Sequence, residues 1–320
     1  MKFNSDQIQK IGKEIGSKVD GKTLFDDFSR GRYSTDASVY QIKPLGVVLP
    51  KDVNDVLSLM EYSQMNSLPL LARGGGSSQC GQTVGECVVL DYSKHQNKIL
   101  EINVEEKYVW VQPGVELDHL NAYLKPYGLW FPVDVSTSSR ATIGGMSANN
   151  SCGSRSLYYG NMVHNVLAIE AILDDGSLHT FDQIQKNFLV KKNNKDRFYN
   201  IIEKFIDLRQ KVGSDIDQNW PTTQRRVGGY NIDLIDPNGF NSSNLLVGSE
   251  GTLSLFNKIK LKLSDIPKNK ILGVCYFDNF HQAMELAKEI VKLKPTCVEL
   301  MDHNLLNLAK EIPIFADGIK

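Results

Sequence analysis

The chain has 320 residues, of which 41% are hydrophobic and 23% are charged, and its formal net charge is −1. This balance is ordinary for a soluble globular protein of about two domains. A net charge so near zero excludes a bulk electrostatic attraction to nucleic acid or to an anionic membrane, so any anion must be bound locally.

The cysteines and the N-terminus exclude further classes of protein. None of the five cysteines forms a Cys-x-x-Cys pair, which argues against a disulfide framework, a zinc site or an iron–sulfur site. Residues 1–20 lack the apolar core of a signal peptide, and no stretch approaches the ~20 apolar residues of a membrane span. We therefore expect no metal site, no nucleic-acid partner, and a cytoplasmic location, or a peripheral one at the inner membrane.

Strand-like and helix-like segments alternate along the chain, which predicts an α+β fold. We predict helices at 53–66, 117–124, 197–212 and 280–293, and strands at 68–72, 87–90, 108–111, 166–173, 178–181, 271–277 and 296–301. Asp175-Gly176 lies between two of these strands and predicts a hairpin, because glycine accepts the positive φ of such a turn. The Lys/Asn cluster at 191–197 is interpreted as a solvated loop.

A glycine loop directly follows the predicted strand 68–72, with the sequence Arg73-Gly74-Gly75-Gly76-Ser77-Ser78. Backbone N–H groups without intervening Cβ atoms can wrap an anion such as a phosphate. The loop lacks the Gly-Lys-Ser/Thr of a Walker loop, and Gln79 stands where the dinucleotide fingerprint needs its third glycine. Taken alone, the loop could equally be a flexible surface turn.

Two further segments concentrate small and hydrogen-bonding residues. Within 131–153, Gly144, Gly145 and Ala148 allow close backbone approach to a flat ligand. In the segment 248–252, Glu250 stands between glycines and could accept hydrogen bonds from sugar hydroxyls. An irregular structural loop and a charged turn are the alternative interpretations of these two segments.

Together, the three clusters resemble the FAD-binding domain of the p-cresol methylhydroxylase (PCMH) type, found in the vanillyl-alcohol oxidase superfamily. Within that superfamily the chain is similar to the D-2-hydroxyacid dehydrogenases, which include D-lactate dehydrogenase, the glycolate oxidase flavin subunit and D-2-hydroxyglutarate dehydrogenase. The segments 33–40 and 44–50 most resemble the long bacterial members that fuse this domain to iron–sulfur modules.

The resemblance implies a domain plan. An N-terminal helical segment at 1–32 would precede a two-lobed PCMH-type domain at 33–265, with lobes at 33–92 and 93–265. Residues 266–320 would begin a ferredoxin-like α/β substrate cap, and we expect the chain to be truncated within it.

The resemblance also implies site residues. A bound FAD would contact Arg73, Gly74, Gly75, Gly76, Ser77, Ser78, Gln82, Pro132, Asp134, Ser138, Thr142, Gly144, Gly145, Ala148, Asn149, Asn150, Ser151, Gly153, Gly160, Val166 and Glu250. Arg225, Tyr230 and Asn231 match a segment that reaches toward the substrate. Covalently flavinylated relatives have histidine directly after the glycine loop, whereas Ser77 follows it here, so non-covalent FAD is expected.

Three functions remain open from the sequence. The first is an enzyme that oxidises D-2-hydroxyglutarate, D-lactate or glycolate, with its catalytic base outside this chain and a quinone, iron–sulfur module or electron-transfer protein as acceptor. The second is an FAD-binding accessory or electron-transfer subunit, suggested by the absence of the family's His-rich C-terminal motif. The third is a binding module without activity, whose glycine loop is only a turn.

Overall fold

The computed structural model describes residues 3–186, 196–223, 225–316 and 318. Two β-sheets, each with its own hydrophobic core, organise most of these residues into two lobes. The first lobe contains α1 (Ser5–Gly16), β1 (Lys22–Leu24), α2 (Asp27–Arg32), β2 (Gly46–Leu49), α3 (Val53–Met65), β3 (Leu70–Arg73) and β4 (Val88–Asp91).

The first sheet has the strand order β1-β2-β4-β3. Strands β2, β4 and β3 are parallel, and β1 pairs antiparallel with β2 at the edge. Every residue of β2 and β4 is buried, which is typical of parallel strands covered on both faces. Asp52 is the N-cap of helix α3, and its carboxylate accepts from the N–H groups of Asn54 and Asp55. The helix buries Leu59 against this sheet.

The N-terminal segment is more than helical. Helix α1 begins with a capping box between Asn4 and Gln7, and it buries Ile8 and Ile15 in the core of the first lobe. The following β1 extends the sheet, so residues 3–32 fold as part of the first lobe. The glycine loop is carried by this lobe, because β3 runs directly into it.

A hydrogen bond from the Tyr62 hydroxyl to Glu14 Oε2, 2.6 Å long, fixes α1 to α3. Burial and this hydrogen bond raise the pKa of Tyr62 to about 12. We expect Tyr62→Phe to lower the free energy of unfolding by about 1 kcal/mol near neutral pH, because it removes a partly buried hydrogen bond to a carboxylate.

The pH dependence of that effect follows from the raised pKa. The stabilisation is fully present below the unfolded pKa of about 10 and is lost as pH rises through about 12. Urea unfolding at about pH 8 and about pH 11 should show that Tyr62→Phe loses less stability over this interval than the wild type. An equal loss in both proteins would contradict the assignment.

The second lobe is built on a five-stranded sheet of order β5-β6-β12-β8-β9, in which every neighbouring pair is antiparallel. Its elements are β5 (Ile99–Asn103), β6 (Tyr108–Val111), α4 (Leu117–Leu124), β7 (Leu129–Trp130), α5 (Ile143–Asn149), α6 (Ser156–Tyr159), α7 (Met162–Asn165), β8 (Val166–Ile172), β9 (Leu178–Phe181), β10 (Gln183–Gln185), α8 (Arg197–Asn219), β11 (Gly239–Asn241), β12 (Leu255–Lys262) and β13 (Ser264–Asp265). Its core includes the fully buried Val109, Leu120, Ile169 and Ile259.

Several predicted elements of this lobe are confirmed. The β8–β9 hairpin closes with a hydrogen bond from Leu173 N–H to Ser177 O, and Gly176 has φ +80° as its turn requires. Helix α8 begins at Arg197 as predicted but continues through Gly213 to Asn219, because a single glycine costs a helix only about 1 kcal/mol and the first proline is Pro221. Residues 191–195 of the predicted solvated loop lie outside the described residues.

The predicted strands at 271–277 and 296–301 are wrong. A strand needs a hydrogen-bonded neighbour, and neither segment pairs with another strand in the described part of the chain. Between and after them lie α9 (Phe280–Lys292), α10 (His303–Lys310) and α11 (Pro313–Ala316). The assignment of 266–320 to a substrate cap stays a prediction. No helix among the described residues has the length and hydrophobicity needed to cross a bilayer.

Candidate functional site

A cavity of about 840 Å³ opens between the glycine loop of the first lobe and the small-residue segments of the second. Its size lies within the usual ~300–1,000 Å³ of ligand sites. The predicted FAD-contacting residues that line it are Arg73, Gly74, Gly75, Gly76, Ser77, Ser78, Gln82, Asp134, Thr142, Gly144, Gly145, Ala148, Asn149, Ser151, Gly153 and Glu250. The three clusters that are separate in sequence therefore meet at one site.

The glycines of the loop are required by its packing against the second lobe. A Cβ on Gly74 would lie 2.0 Å from the Thr142 Oγ1, and a Cβ on Gly75 would lie 2.0 Å from the Arg140 carbonyl oxygen. Gly76 has φ +64°, a backbone conformation that residues other than glycine rarely adopt. The loop can thus pack closely against residues 140–142, and the edge formed by its own N–H groups, the amide edge, is left for a ligand.

That amide edge has the donors an anion needs. None of the five N–H groups from Gly74 to Ser78 donates to an acceptor in the part of the chain that the structure describes. Gly74 to Ser78 all line the cavity, and consecutive free N–H groups in such a loop can form a concave site for a phosphate. This observation fits the pyrophosphate of FAD.

Arg73 supports the loop from behind. Its guanidinium donates to the carbonyl oxygens of Thr35 at 2.8 Å, Thr83 at 3.0 Å and Tyr33 at 3.3 Å, and lies 5.2 Å from the centre of the Tyr33 ring. Burial lowers the pKa of Arg73, and the nearby carboxylate of Asp91 opposes that shift. Tyr33 in turn donates to Asp91 at 2.6 Å. Arg73 therefore holds the loop's flanks together, and three of its five N–H donors are spent on backbone.

The second and third clusters are joined by Glu250. Its carboxylate accepts from the Asn149 amide at 2.8 Å, and its own N–H donates to the Ala148 carbonyl at 2.9 Å. Glu250 adopts φ +52° between Gly248 and Gly251, both of which also have positive φ. This strained turn presents a carboxylate to the cavity, where it can accept from a hydroxyl-bearing ligand.

A third group of contacts surrounds Asp134. Its carboxylate accepts from Ser154 Oγ at 3.0 Å and from Arg155 N–H at 3.1 Å, and it pairs with Arg155 Nε at 3.2 Å. The Arg155 guanidinium lies over the Trp130 ring at 4.4 Å. A Cβ on Gly153 would lie 2.2 Å from the Asp134 carbonyl oxygen, so this glycine permits the close packing.

Five predicted FAD-contacting residues do not line the cavity: Pro132, Ser138, Asn150, Gly160 and Val166. Val166 is buried in β8, and its carbonyl accepts from the Asn241 amide. Asn150 is fully buried and caps α5 with φ +52°, while its Oδ1 accepts from Val163 N–H. Gly160 adopts φ +76° beside His164. Asn150 and Gly160 thus serve the backbone around the site, and Val166 serves the core.

The three substrate candidates lie beside the cavity and are absent from its lining. Arg225 Nη1 donates to the Gly153 carbonyl at 3.1 Å, and Tyr230 shares a hydrogen bond with Thr252 at 2.8 Å. Asn231 is 1% exposed and donates to the carbonyls of Asn244 and Val247, so its amide is used within the protein. Of the three, Arg225 retains an exposed cation next to the site.

The lining also contains residues that sequence reasoning did not assign to the site, among them Tyr92 and Arg155. Tyr92 follows β4 and is 4% exposed, and its hydroxyl has no partner in the described residues. Arg155 lies two positions after the predicted Gly153, so the polar density of 131–153 was the signal that could have included it.

Comparisons with known proteins agree with this geometry. Residues 44–182 match the family model described as an FAD binding domain. The chain is 35% identical over 301 residues to the D-2-hydroxyglutarate dehydrogenase of Escherichia coli (strain K12), which covers 91% of this chain and 29% of that protein. It is 30% identical over 308 residues to the glycolate oxidase subunit GlcD of Bacillus subtilis (strain 168), covering 93% of this chain and 55% of that one.

The fold has solved counterparts. A structure of alkyldihydroxyacetonephosphate synthase aligns with 90% of this chain and 50% of its own, with a TM-score of 0.62 at 18% identity. At 18% identity, this similarity shows a shared fold and nothing about function. The free amides of the glycine loop and the cavity between the lobes agree with the match of residues 44–182 to an FAD binding domain, and the cofactor of this chain is FAD.

Proposed function

We propose that this chain is the FAD-binding part of an oxidoreductase that converts a D-2-hydroxy acid to the 2-oxo acid. The chain spans 29% of the length of the Escherichia coli D-2-hydroxyglutarate dehydrogenase that it resembles. The observation that carries the proposal is the cavity lined by the three clusters, with a row of free amides on one wall. When bound there, FAD supplies the acceptor for the two electrons of the oxidation.

The proposed roles follow from the contacts of each residue. The amides of Gly74 to Ser78 bind the pyrophosphate, and Glu250 accepts from a sugar hydroxyl of the cofactor. Arg225 is the proposed partner of the substrate carboxylate, because only one of its donors is used within the described residues, on the Gly153 carbonyl. These side chains hold and orient the reactants, and the base that accepts the hydroxyl proton is not assigned to a residue of this chain.

FAD is proposed to bind without a covalent link. Ser77 and Ser78 follow the glycines, and no histidine of the described residues lines the cavity. Two cysteines do line it, Cys80 and Cys152. The cytoplasmic location and a separate electron acceptor are part of the same proposal.

The activity is tested on the FAD-loaded full-length protein that contains this chain, with an artificial electron acceptor. We expect oxidation of D-2-hydroxyglutarate, D-lactate or glycolate, with the D enantiomer preferred over the L enantiomer of the same acid. Arg225→Met should raise the KM of the acid about tenfold or more, because it removes a charge-assisted contact to the carboxylate. An FAD-loaded full-length protein that is inert towards all three acids would contradict the proposed activity.

A second candidate is an FAD-holding accessory or electron-transfer subunit. Among the described residues of the segment after position 265, Glu299 alone reaches the cavity, so that segment supplies little of a substrate site. This candidate predicts that the FAD-loaded chain exchanges electrons with an artificial donor while all three hydroxy acids leave the bound flavin oxidised.

A further inference from the structure

The charged side chains that line the cavity differ in how many of their donors and acceptors already have partners in the protein. In the described part of the chain the lining contains two cations, Arg73 and Arg155, and three carboxylates, Asp134, Glu250 and Glu299. Arg73 is turned toward the backbone carbonyls of its own lobe. Arg155 is therefore the one lining cation whose terminal nitrogens have no acceptor among the described residues.

Arg155 is nevertheless held in place. The Nε of Arg155 pairs with Asp134 at 3.2 Å, and its backbone N–H donates to the same carboxylate. Its guanidinium lies 4.4 Å from the centre of the Trp130 ring. These contacts fix the plane of the guanidinium and leave both Nη groups available. A cation fixed in this way loses little further rotamer entropy when an anion arrives.

Arg155 is tied to a different part of the wall from the glycine loop. Gly74 and Gly75 pack against residues 140–142, whereas Arg155 packs against Asp134 and Trp130. Arg225, the proposed partner of the substrate carboxylate, donates to Gly153, two positions before Arg155. Arg155 is thus close in the chain to the contact that Arg225 makes, and its own contacts are separate from those of the glycine loop.

We propose that Arg155 stabilises the negative charge that the flavin ring gains when it is reduced. The proposal rests on the proposed hydride transfer from a 2-hydroxy acid. In that step the C–H bond breaks, the hydride brings two electrons to the flavin, and the hydroxyl proton goes to a base, so the ring gains one negative charge. A guanidinium with free N–H donors stabilises such a charge by Coulomb attraction and by charge-assisted hydrogen bonds.

The test is the midpoint potential of the bound FAD, measured without any hydroxy acid. We expect Arg155→Met to weaken the binding of reduced FAD about tenfold relative to that of oxidised FAD. Such a change lowers the midpoint potential by about 30 mV for two electrons. Arg155→Lys, which keeps the charge, should recover most of this shift. Arg32→Met, an exposed arginine outside the cavity lining, should leave the potential unchanged.

A second measurement separates the reduced ring from the pyrophosphate. The affinity of the FAD-free chain for ADP, measured by calorimetry, should be the same for wild type and Arg155→Met. An unchanged potential, or a loss of ADP affinity, would overturn the proposal, the latter by placing Arg155 at the phosphates. If Arg155→Met does not retain FAD, Arg155→Gln and the ADP titration decide the matter. A full-length protein inert toward hydroxy acids would reject the proposed activity, whereas the potential shift of Arg155→Met tests the role of Arg155 independently of that activity.

Discussion

Gly75→Ala is expected to weaken FAD binding at least about 30-fold, equivalent to about 2 kcal/mol. The added Cβ would lie 2.0 Å from the Arg140 carbonyl oxygen, which belongs to the backbone of the opposite lobe. Neither group is the end of a flexible side chain, so the glycine loop must move away from residues 140–142. That movement displaces the row of amides that is proposed to hold the pyrophosphate.

Flavin fluorescence titration of the FAD-free chain measures this effect. Gly31→Ala is a matched control, because a Cβ at Gly31 meets nothing within 4 Å and this glycine lies in helix α2. The control should bind FAD like the wild type. Wild-type affinity in Gly75→Ala would show that FAD does not depend on the close approach of loop and segment.

Arg73→Met is expected to lower the free energy of unfolding of the FAD-free chain by about 3 kcal/mol. The substitution leaves the carbonyls of Tyr33, Thr35 and Thr83 without their donor, and each such loss typically amounts to about 1 kcal/mol. It also removes the stacking of the guanidinium on the Tyr33 ring. FAD affinity should fall as a consequence, because the flanks of the glycine loop are no longer tied together.

Urea unfolding in the absence of FAD distinguishes this role from a direct contact. If Arg73 mainly bound the pyrophosphate, Arg73→Met would weaken FAD binding while leaving the FAD-free chain as stable as the wild type. Arg32→Met serves as the control, because Arg32 is exposed and adjacent to Tyr33 in the chain. It should unfold at the same urea concentration as the wild type.

The parts of the site that could be predicted from sequence are those where chemistry and spacing coincide. Three consecutive glycines after a predicted strand have few uses other than close backbone packing and anion binding; the packing is found at Gly74 and Gly75, and anion binding stays a prediction. Glu250 was predicted either to accept from sugar hydroxyls or to lie in a charged turn; the structure places it in a turn with φ +52°, and its contact with a sugar stays a prediction. Helix α4 and strand β6 were predicted to the residue because Pro113-Gly114 and Pro126 delimit them.

The direction in which each side chain faces could not be predicted from the sequence. Asn150 is polar because it caps α5 and bonds to Val163, and Val166 stands in a strand whose side chains enter the core. Arg155 was missed since an arginine after a small-residue run looks like any exposed cation until its pairing with Asp134 is known. The segments 271–277 and 296–301 have strand composition, but pairing depends on a neighbour that composition does not reveal.

The flavin content of the purified chain tests the central proposal, non-covalent FAD held on the amides of the glycine loop, most directly. The FAD-loaded protein is denatured, the precipitate is separated, and flavin is quantified in both fractions beside Gly75→Ala. We predict about one FAD per wild-type chain, all of it in the supernatant, and little or none from Gly75→Ala. Flavin that stays with the precipitated protein, or equal amounts of FAD from both proteins, would contradict the proposal.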